Sequence, residues 1–386
     1  MTVEGGTGEP KARKGIGNRR LVARGAYGLG ATFAAATLLA ACGSGTTSGS
    51  SAGSTSSSST TSGTSASTKG AASGSPYKVS ATWSKVGPTP HFTGVDPTTG
   101  HVFVSNLAAG TVTVLATSGS PVATVKTGGT VHTVMVDAKT GRTYVTDIKR
   151  GLLDVIDAST NKVLTEIPVG AHLHGLAVSS SLQEAVVTDV STSKVYVVST
   201  ATDKVLTPGG IPVGANPWGV TIDAATHTAY VANTGMDPFA STATGKVNPA
   251  GSTVSVVNLL TDKVTQTIPV GPHPWNLVVT PSGTVYVGVV GTKKVAVIQG
   301  GKVVADIAVP GAPHGIGYSP SNGYVFVADS TTGQVSVIDT HTNKVVQNVK
   351  VGKDPQGLSV DTATGAVYVA NQKAQSVSVL SPSAKG

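Results

Sequence analysis

Past residue 76 the sequence repeats itself about every 40 residues, and that period constrains the fold more tightly than any local motif. Val-Gly or Pro-Gly pairs end the units at Val86-Gly87, Val169-Gly170, Val213-Gly214, Val270-Gly271, Pro310-Gly311 and Val351-Gly352, with Thr127-Gly128 as a variant. Between them the same strand signals recur. A first strand such as Gly219-Val220-Thr221-Ile222 runs into a polar turn such as Asp137-Ala138-Lys139-Thr140-Gly141. A second strand reads Tyr144-Val145-Thr146-Asp147, Tyr230-Val231-Ala232-Asn233 or Tyr368-Val369-Ala370-Asn371. A third reads Val335-Ser336-Val337-Ile338-Asp339, and a fourth follows Thr342-Asn343-Lys344, from Val345 to Val351. Short β-branched strands, four to a unit and joined by polar turns, describe the blade of a β-propeller.

First strands starting near Pro90, Val131, Leu173, Pro217, Pro274, Pro313 and Pro355 give seven units. The seventh stops after its third strand, Val377-Ser378-Val379-Leu380, whereas the segment from Lys78 to Gly87, ahead of the first unit, reads as a spare fourth strand. The predicted fold is therefore all-β: a seven-bladed β-propeller of four-stranded antiparallel blades, the last blade closed by the N-terminal strand so that no edge stays open. The units resemble the YVTN-type β-propeller repeats of bacterial and archaeal surface proteins, over nearly all of 77–386. The tetrapeptide that names those repeats occurs here in close variants, and Tyr286-Val287-Gly288-Val289 departs from it most.

The chain ahead of the repeats reads differently. Basic residues up to Arg24 precede an apolar, small-residue run from Gly25 to Ala41, the layout of a secretory signal, so 1–41 is expected to be a signal peptide. The run ends in Leu39-Ala40-Ala41-Cys42-Gly43, which resembles the lipobox of bacterial lipoproteins, where the cysteine is lipidated and becomes the first mature residue. Cys42 is the only cysteine of the chain, so it has no partner for an internal disulfide, and a lipid anchor accounts for its position. Asn18-Arg19-Arg20-Leu21-Val22 weakly resembles a twin-arginine export motif, leaving the export route open. From Gly43 to Ser75 nearly every residue is Ser, Thr, Gly or Ala, which cannot bury a core. Residues 42–76 are therefore read as a lipidated cysteine and a disordered tether with a reach of about 30 Å, and 77–386 as the propeller. The implied location is extracytoplasmic, anchored to the cell membrane or outer membrane.

The formal net charge of +8 overstates the basicity of the mature protein, because 1–41 carries six Lys or Arg. Without that segment 21 basic and 17 acidic residues remain, a net of +4, which argues against a nucleic-acid partner. The chain is expected to be a monomer.

Superposing the units puts one large side chain at the start of each innermost strand: His91, His132, His174, Trp218, Trp275, His314 and Gln356. In the family resembled, innermost strands surround the central channel, so these seven are candidate ligand-binding residues at one channel mouth. Strict alternation adds a complication: His174 shares parity with Leu176 and Val178, which would tuck the ring residues between blades at the rim. Imidazoles suit Cu, Zn or Ni, which makes His91, His132, His174 and His314 a candidate metal set, with Cu or Zn as the cofactor. His172 lies two residues upstream of His174. No local zinc spacing supports that reading, which depends on the fold to assemble the ligands. Trp218 and Trp275, with His273 nearby, form an alternative aromatic shelf for a sugar or peptide.

The fourth unit is lengthened between its second and third strands by residues 234–252, including Met236, Asp237, Pro238 and Phe239, and this loop is expected on the ring face beside Trp218. Catalysis has little support. Glu166 and Glu184 are the only glutamates in 77–386, one expected in an outer strand and one in a turn. Asp147, Asp189 and Asp329 end second strands where other units carry Asn106, Asn233 and Asn371, a pattern of turn capping. No GxSxG elbow is present in 77–386. The leading expectation is a cell-envelope lipoprotein whose propeller presents a binding surface to a protein, glycan or small ligand. The alternatives are a metal-binding propeller and a lactonase- or streptogramin-lyase-like enzyme.

Overall fold

The computed structural model describes residues 76–236, 248 and 250–383. The signal segment, Cys42, the tether up to residue 75, and Asp237, Pro238 and Phe239 of the insertion lie outside the described residues.

The repeats fold into seven antiparallel sheets, each a meander that starts at the axis and runs outward. The innermost strands begin at the seven expected residues, from Pro90–Asp96 in blade 1 to Pro355–Val360 in blade 7. Each innermost strand packs on the next, and that of blade 7 packs on that of blade 1, which closes the circle. Seven apolar clusters hold the circle together, each shared by two consecutive blades: Phe103, Val114 and Ile156 between blades 1 and 2, for example, and Phe326, Val337 and Val369 between blades 6 and 7. This placement explains the burial patterns. Second and third strands are covered by a blade on either side and bury nearly every residue, whereas outer strands such as Lys162–Pro168 alternate between exposed and covered positions.

The spare N-terminal strand, Tyr77–Trp83, is the outer strand of blade 7, with Tyr77 opposite Pro382 and Trp83 opposite Val377. It also reaches into blade 6. The Tyr77 hydroxyl accepts from Asn322 Nδ2 of blade 6 (2.6 Å) while donating to the Gly365 carbonyl of its own blade (2.9 Å), and Gln347 of blade 6 bridges the Tyr77 backbone, accepting from its N–H at 2.9 Å and donating to its carbonyl at 2.7 Å. The Tyr77 ring meets Phe326 edge-on at 4.8 Å.

Two local departures have clear causes. The outer strand of blade 3 is split into Lys204–Val205 and Ile211–Pro212 because Pro208 and the Gly209-Gly210 turn interrupt it; Thr207 Oγ1 accepts from the Val197 N–H (2.8 Å) in place of a ladder partner. Glu184, expected in a turn, is the first residue of the strand Glu184–Asp189, since the turn ahead of it is completed by Gln183 with φ of 54°.

Candidate functional site

The residue after each innermost-strand start carries the candidate side chain, and six of the seven meet over the axis. His91, His132 and His174 follow one another with ring centroids 4.3 and 3.7 Å apart; Trp218 lies 4.4 Å from His174, Trp275 4.7 Å from Trp218, and His314 4.5 Å from Trp275. His314 returns to within 5.7 Å of His91 and completes the circuit. Gln356, in the blade between these two, is buried but donates its side-chain N–H to Asp354 and takes no part in it. The expectation that alternation would tuck these side chains between blades is thus corrected.

The physical reason is a register shift that breaks the pleat at the start of the innermost strands, between Leu173 and Leu176 in blade 3 and at the matching place in the others. In blades 1 to 3 a hydroxyl on the second strand fills the gap. Ser105, Thr146 and Thr188 accept the N–H of Phe92, Thr133 and Gly175 at 3.0, 3.0 and 2.7 Å. The same hydroxyls donate onward to the carbonyls of His132, His174 and Trp218, at 2.6, 3.0 and 2.8 Å, tying each ring residue to the blade before it. At the glycines that follow ring residues the blades also approach too closely for a side chain: a Cβ on Gly175 or Gly315 would stand 2.0 or 2.4 Å from the carbonyl oxygen of Trp218 or Gln356.

Below the ring lies Phe92, missed in the sequence reading. Its ring is 5.3 Å from His132 and 6.3 Å from His314, so it spans the axis under the histidines, and Gly357 makes room for it. The repeated glycine after the ring residue, in His174-Gly175, Trp218-Gly219, His314-Gly315 and Gln356-Gly357, was a usable sequence signal for this crowding.

Burial dominates the electrostatics. It holds His91 and His132 well below the usual imidazole range, with neighbouring histidines adding to the effect; burial also lowers His174 to about 3 and His314 to about 4, the latter against the opposing charge of Asp354. The four imidazoles are neutral near pH 7. Each therefore has one N–H and one lone pair to place. Gln372 lies 3.1 Å from His91 Nδ1, and His132 Nδ1 lies 3.0 Å from Thr133 Oγ1. Among the described residues, no three histidine, cysteine or carboxylate side chains are grouped so as to hold a metal ion.

Several polar atoms beside this circuit have no partner. Trp218 Nε1, Trp275 Nε1, His273 Nδ1 and His314 Nδ1 are buried without a hydrogen bond. The indole faces, by contrast, are used: Trp218 is stacked on Trp275 at an interplanar angle of 29°, and the His174 ring lies against it tilted by 31°. A sugar-stacking shelf needs a free face, so what this site offers is the indole edges. His172 stays outside the circuit, with Nδ1 2.8 Å from Ser191 Oγ. The stems of the inserted loop lie on the ring face, where Ala215 N–H donates to the Ala250 carbonyl (3.1 Å) and Gly235 N–H to the Ala215 carbonyl (3.0 Å). On the same face a concavity of about 630 Å³ between blades 6 and 7 is lined by Lys350, Lys353, Lys373 and Asp354.

The acidic strand ends cap turns. Asp189 accepts from the N–H of Ala171 (2.7 Å) and of Thr192 (3.3 Å), and Asn371 accepts from Gly352 N–H (3.1 Å). Blade 2 varies the theme: Asp147 and Asp154 are both buried, and Arg150 lies between them, also 2.9 Å from Glu166. Burial pushes Asp154 up to about 7 despite Arg150, and Asp329 up to about 6.

A protein-family description, Arylesterase, matches residues 284–381, which span part of blade 5 and blades 6 and 7. No curated protein matches the chain. Among solved structures, Kuenenia stuttgartiensis hydrazine synthase is similar, with a TM-score of 0.66 and 18% sequence identity, over 78% of this chain and 98% of that one. At that identity the likeness is one of fold, and it is a likeness to a propeller.

Proposed function

We propose that this protein is a YVTN-type, lipid-anchored envelope protein whose propeller is a binding module, with its ring face receiving a ligand rich in hydrogen-bond acceptors, such as a peptide or glycan. The observation that carries the reading is the pair of indole N–H groups, Trp218 Nε1 and Trp275 Nε1, buried with no acceptor. An indole nitrogen only donates, and an unmet buried donor costs about 1–3 kcal/mol, which an acceptor oxygen arriving with a ligand would recover. The stems of the blade 4 insertion on this face and the lysine-lined concavity beside it extend the surface and favour a partner with anionic or carbonyl oxygens.

Intrinsic-fluorescence titration with a dialanine peptide and with chitobiose tests this reading. Trp218→Phe and Trp275→Phe keep an aromatic ring in the stack while removing the indole N–H together with the fused five-membered ring, so each is expected to weaken binding about tenfold. Equal affinity in both variants sinks the proposal.

A second reading, an esterase- or lactonase-like hydrolase, is favoured by the family match over residues 284–381. Metal-assisted hydrolysis in a propeller channel calls on carboxylates and amides, and the channel wall here supplies one amide, Asn276, and no carboxylate. Turnover of phenyl acetate or a γ-lactone by the purified chain would revive it. A metal set of His91, His132, His174 and His314 would first have to open the His91–His132 contact.

A further inference from the structure

We infer that the concavity between blades 6 and 7 is a phosphate site, which takes the phosphate monoester group of a small ligand such as a phosphorylated sugar. The inference deepens the reading of the ring face as a binding surface, on which it rests, and names a ligand for the lysine-lined part of that face.

The hollow is assembled from segments that are separate along the chain. The turn Ser330-Thr331-Thr332-Gly333 of blade 6 forms one side of it. Lys350 ends the outer strand Lys344–Lys350, Lys353 stands in the connection to the innermost strand Pro355–Val360, and Lys373 follows the second strand Val367–Asn371 of blade 7. The three lysines line one concavity of about 630 Å³, within the range of small-ligand sites.

The one carboxylate among the lining residues is already engaged. Asp354 Oδ2 is 3.3 Å from Lys373 Nζ, and its Oδ1 accepts from Gln356 Nε2. Lys350 and Lys353 are exposed and make no ion pair among the described residues. Three lysines against one carboxylate leave a surplus of two positive charges. Further round the same face, Lys85 beside blade 7 and Lys126 of blade 1 are exposed too, whereas Asp329, the other carboxylate on this side of blades 6, 7 and 1, is buried. The local field therefore draws anions to the hollow.

A phosphate monoester carries about −1.5 to −2 charges near pH 7 on three acceptor oxygens, which matches the surplus. A carboxylate, with a single charge, would answer one lysine and leave another unpaired. The turn supplies a neutral donor as well: Thr331 Oγ1 accepts from the Ala312 N–H (3.1 Å), which leaves its own proton for a phosphate oxygen.

Calorimetric titration of the full chain with glucose 6-phosphate in low-salt buffer, and in parallel with glucuronate, tests the inference. Saturable binding of the phosphate ester, with glucuronate weaker by about tenfold or more, is expected. Inorganic phosphate is expected to compete for the same site with lower affinity, since the hollow has room for the sugar too. Lys350→Gln and Lys353→Gln are each expected to weaken binding about fivefold, and the double variant to abolish it while the circular dichroism spectrum stays that of a folded sheet protein. Lys263→Gln, at the exposed start of the outer strand of blade 4 on the opposite face, is expected to bind like the parent. The inference is overturned by a folded parent chain that takes up no ester, by glucuronate bound as tightly as the ester, or by affinity unchanged in the double variant. Free phosphate that fails to compete, or that binds more tightly than the ester, overturns it too. Chitobiose carries no charge, so its titration against the Trp218 and Trp275 variants is read independently of these lysines, and the two proposals fail separately.

Discussion

His91 Nε2 lies 2.8 Å from His132 Nε2, and the neighbours on either side decide which of the two donates. The Gln372 amide nitrogen, which can only donate, is 3.1 Å from His91 Nδ1, so that nitrogen carries the lone pair and His91 Nε2 carries the proton. His132 Nε2 accepts, and its Nδ1–H then donates to Thr133 Oγ1 at 3.0 Å. Thr133 is left free to donate to the His174 carbonyl at 2.9 Å, as its geometry requires. Both ends of the chain impose the same direction, running through blades 7, 1, 2 and 3.

Breaking that chain strands a donor. His132→Ala leaves His91 Nε2–H buried with nothing to accept it and opens a void beneath the ring, so unfolding in urea is expected to show a loss of about 2–4 kcal/mol. Thr133→Val, which removes a single link, is expected to cost about 1–3 kcal/mol.

Acid should weaken the ring. His174 and His314 have folded-state values of about 3 and 4, below the 6.5 of a free imidazole, so the unfolded chain binds more protons between those limits. Stability is therefore fully present above pH 6.5 and falls as the pH drops toward 3. Thermal melts of His174→Gln and His314→Gln are expected to show a shallower loss across that window than the parent.

Blade 2 should respond in the opposite sense. Asp154 has a folded-state value of about 7, above the ordinary 3.8, so the folded chain binds the extra proton and stability rises as pH falls from 7 toward 4. Asp154→Asn is expected to flatten this contribution in pH-dependent melts. Arg150→Ala is expected to cost about 2–3 kcal/mol at pH 8, since Arg150 is partly solvated, and less at pH 5, where Asp154 takes up a proton in its place.

The circle should come undone at blade 7. Tyr77→Ala deletes a side chain 1% exposed that contacts blades 6 and 7, and a loss of about 3–5 kcal/mol is expected in chemical denaturation. Limited proteolysis of the variant is expected to cut first within 77–87.

Metal content after exposure to Cu(II), Zn(II) or Ni(II) and dialysis is expected to stay well below one ion per chain, because a metal would have to displace the hydrogen bond between His91 and His132. Stoichiometric metal that is lost in both His132→Ala and His174→Ala would reverse that expectation.

By itself the sequence determined the number of blades, the first residue of every innermost strand and the strand that closes the circle. Those features rest on local chemistry repeated seven times: β-branched runs that are buried on both sides, polar turns such as Asp137-Ala138-Lys139-Thr140-Gly141, and one missing strand matched by one spare. The seven positions of the ring were also legible, because they recur at a constant offset. Only the tertiary structure decided where those side chains point. Alternation along His174, Leu176 and Val178 holds for an unbroken pleat, and the shift between Leu173 and Leu176 resets it. That shift is stabilised by Thr188 of the same blade and by the Trp218 carbonyl of the next, a contact that no strand-local period can register. The same is true of the His91–His132 bond, between residues 41 apart in sequence. Strand periodicity encodes which face of a strand is buried, whereas distances across the axis are set by how closely seven sheets can pack.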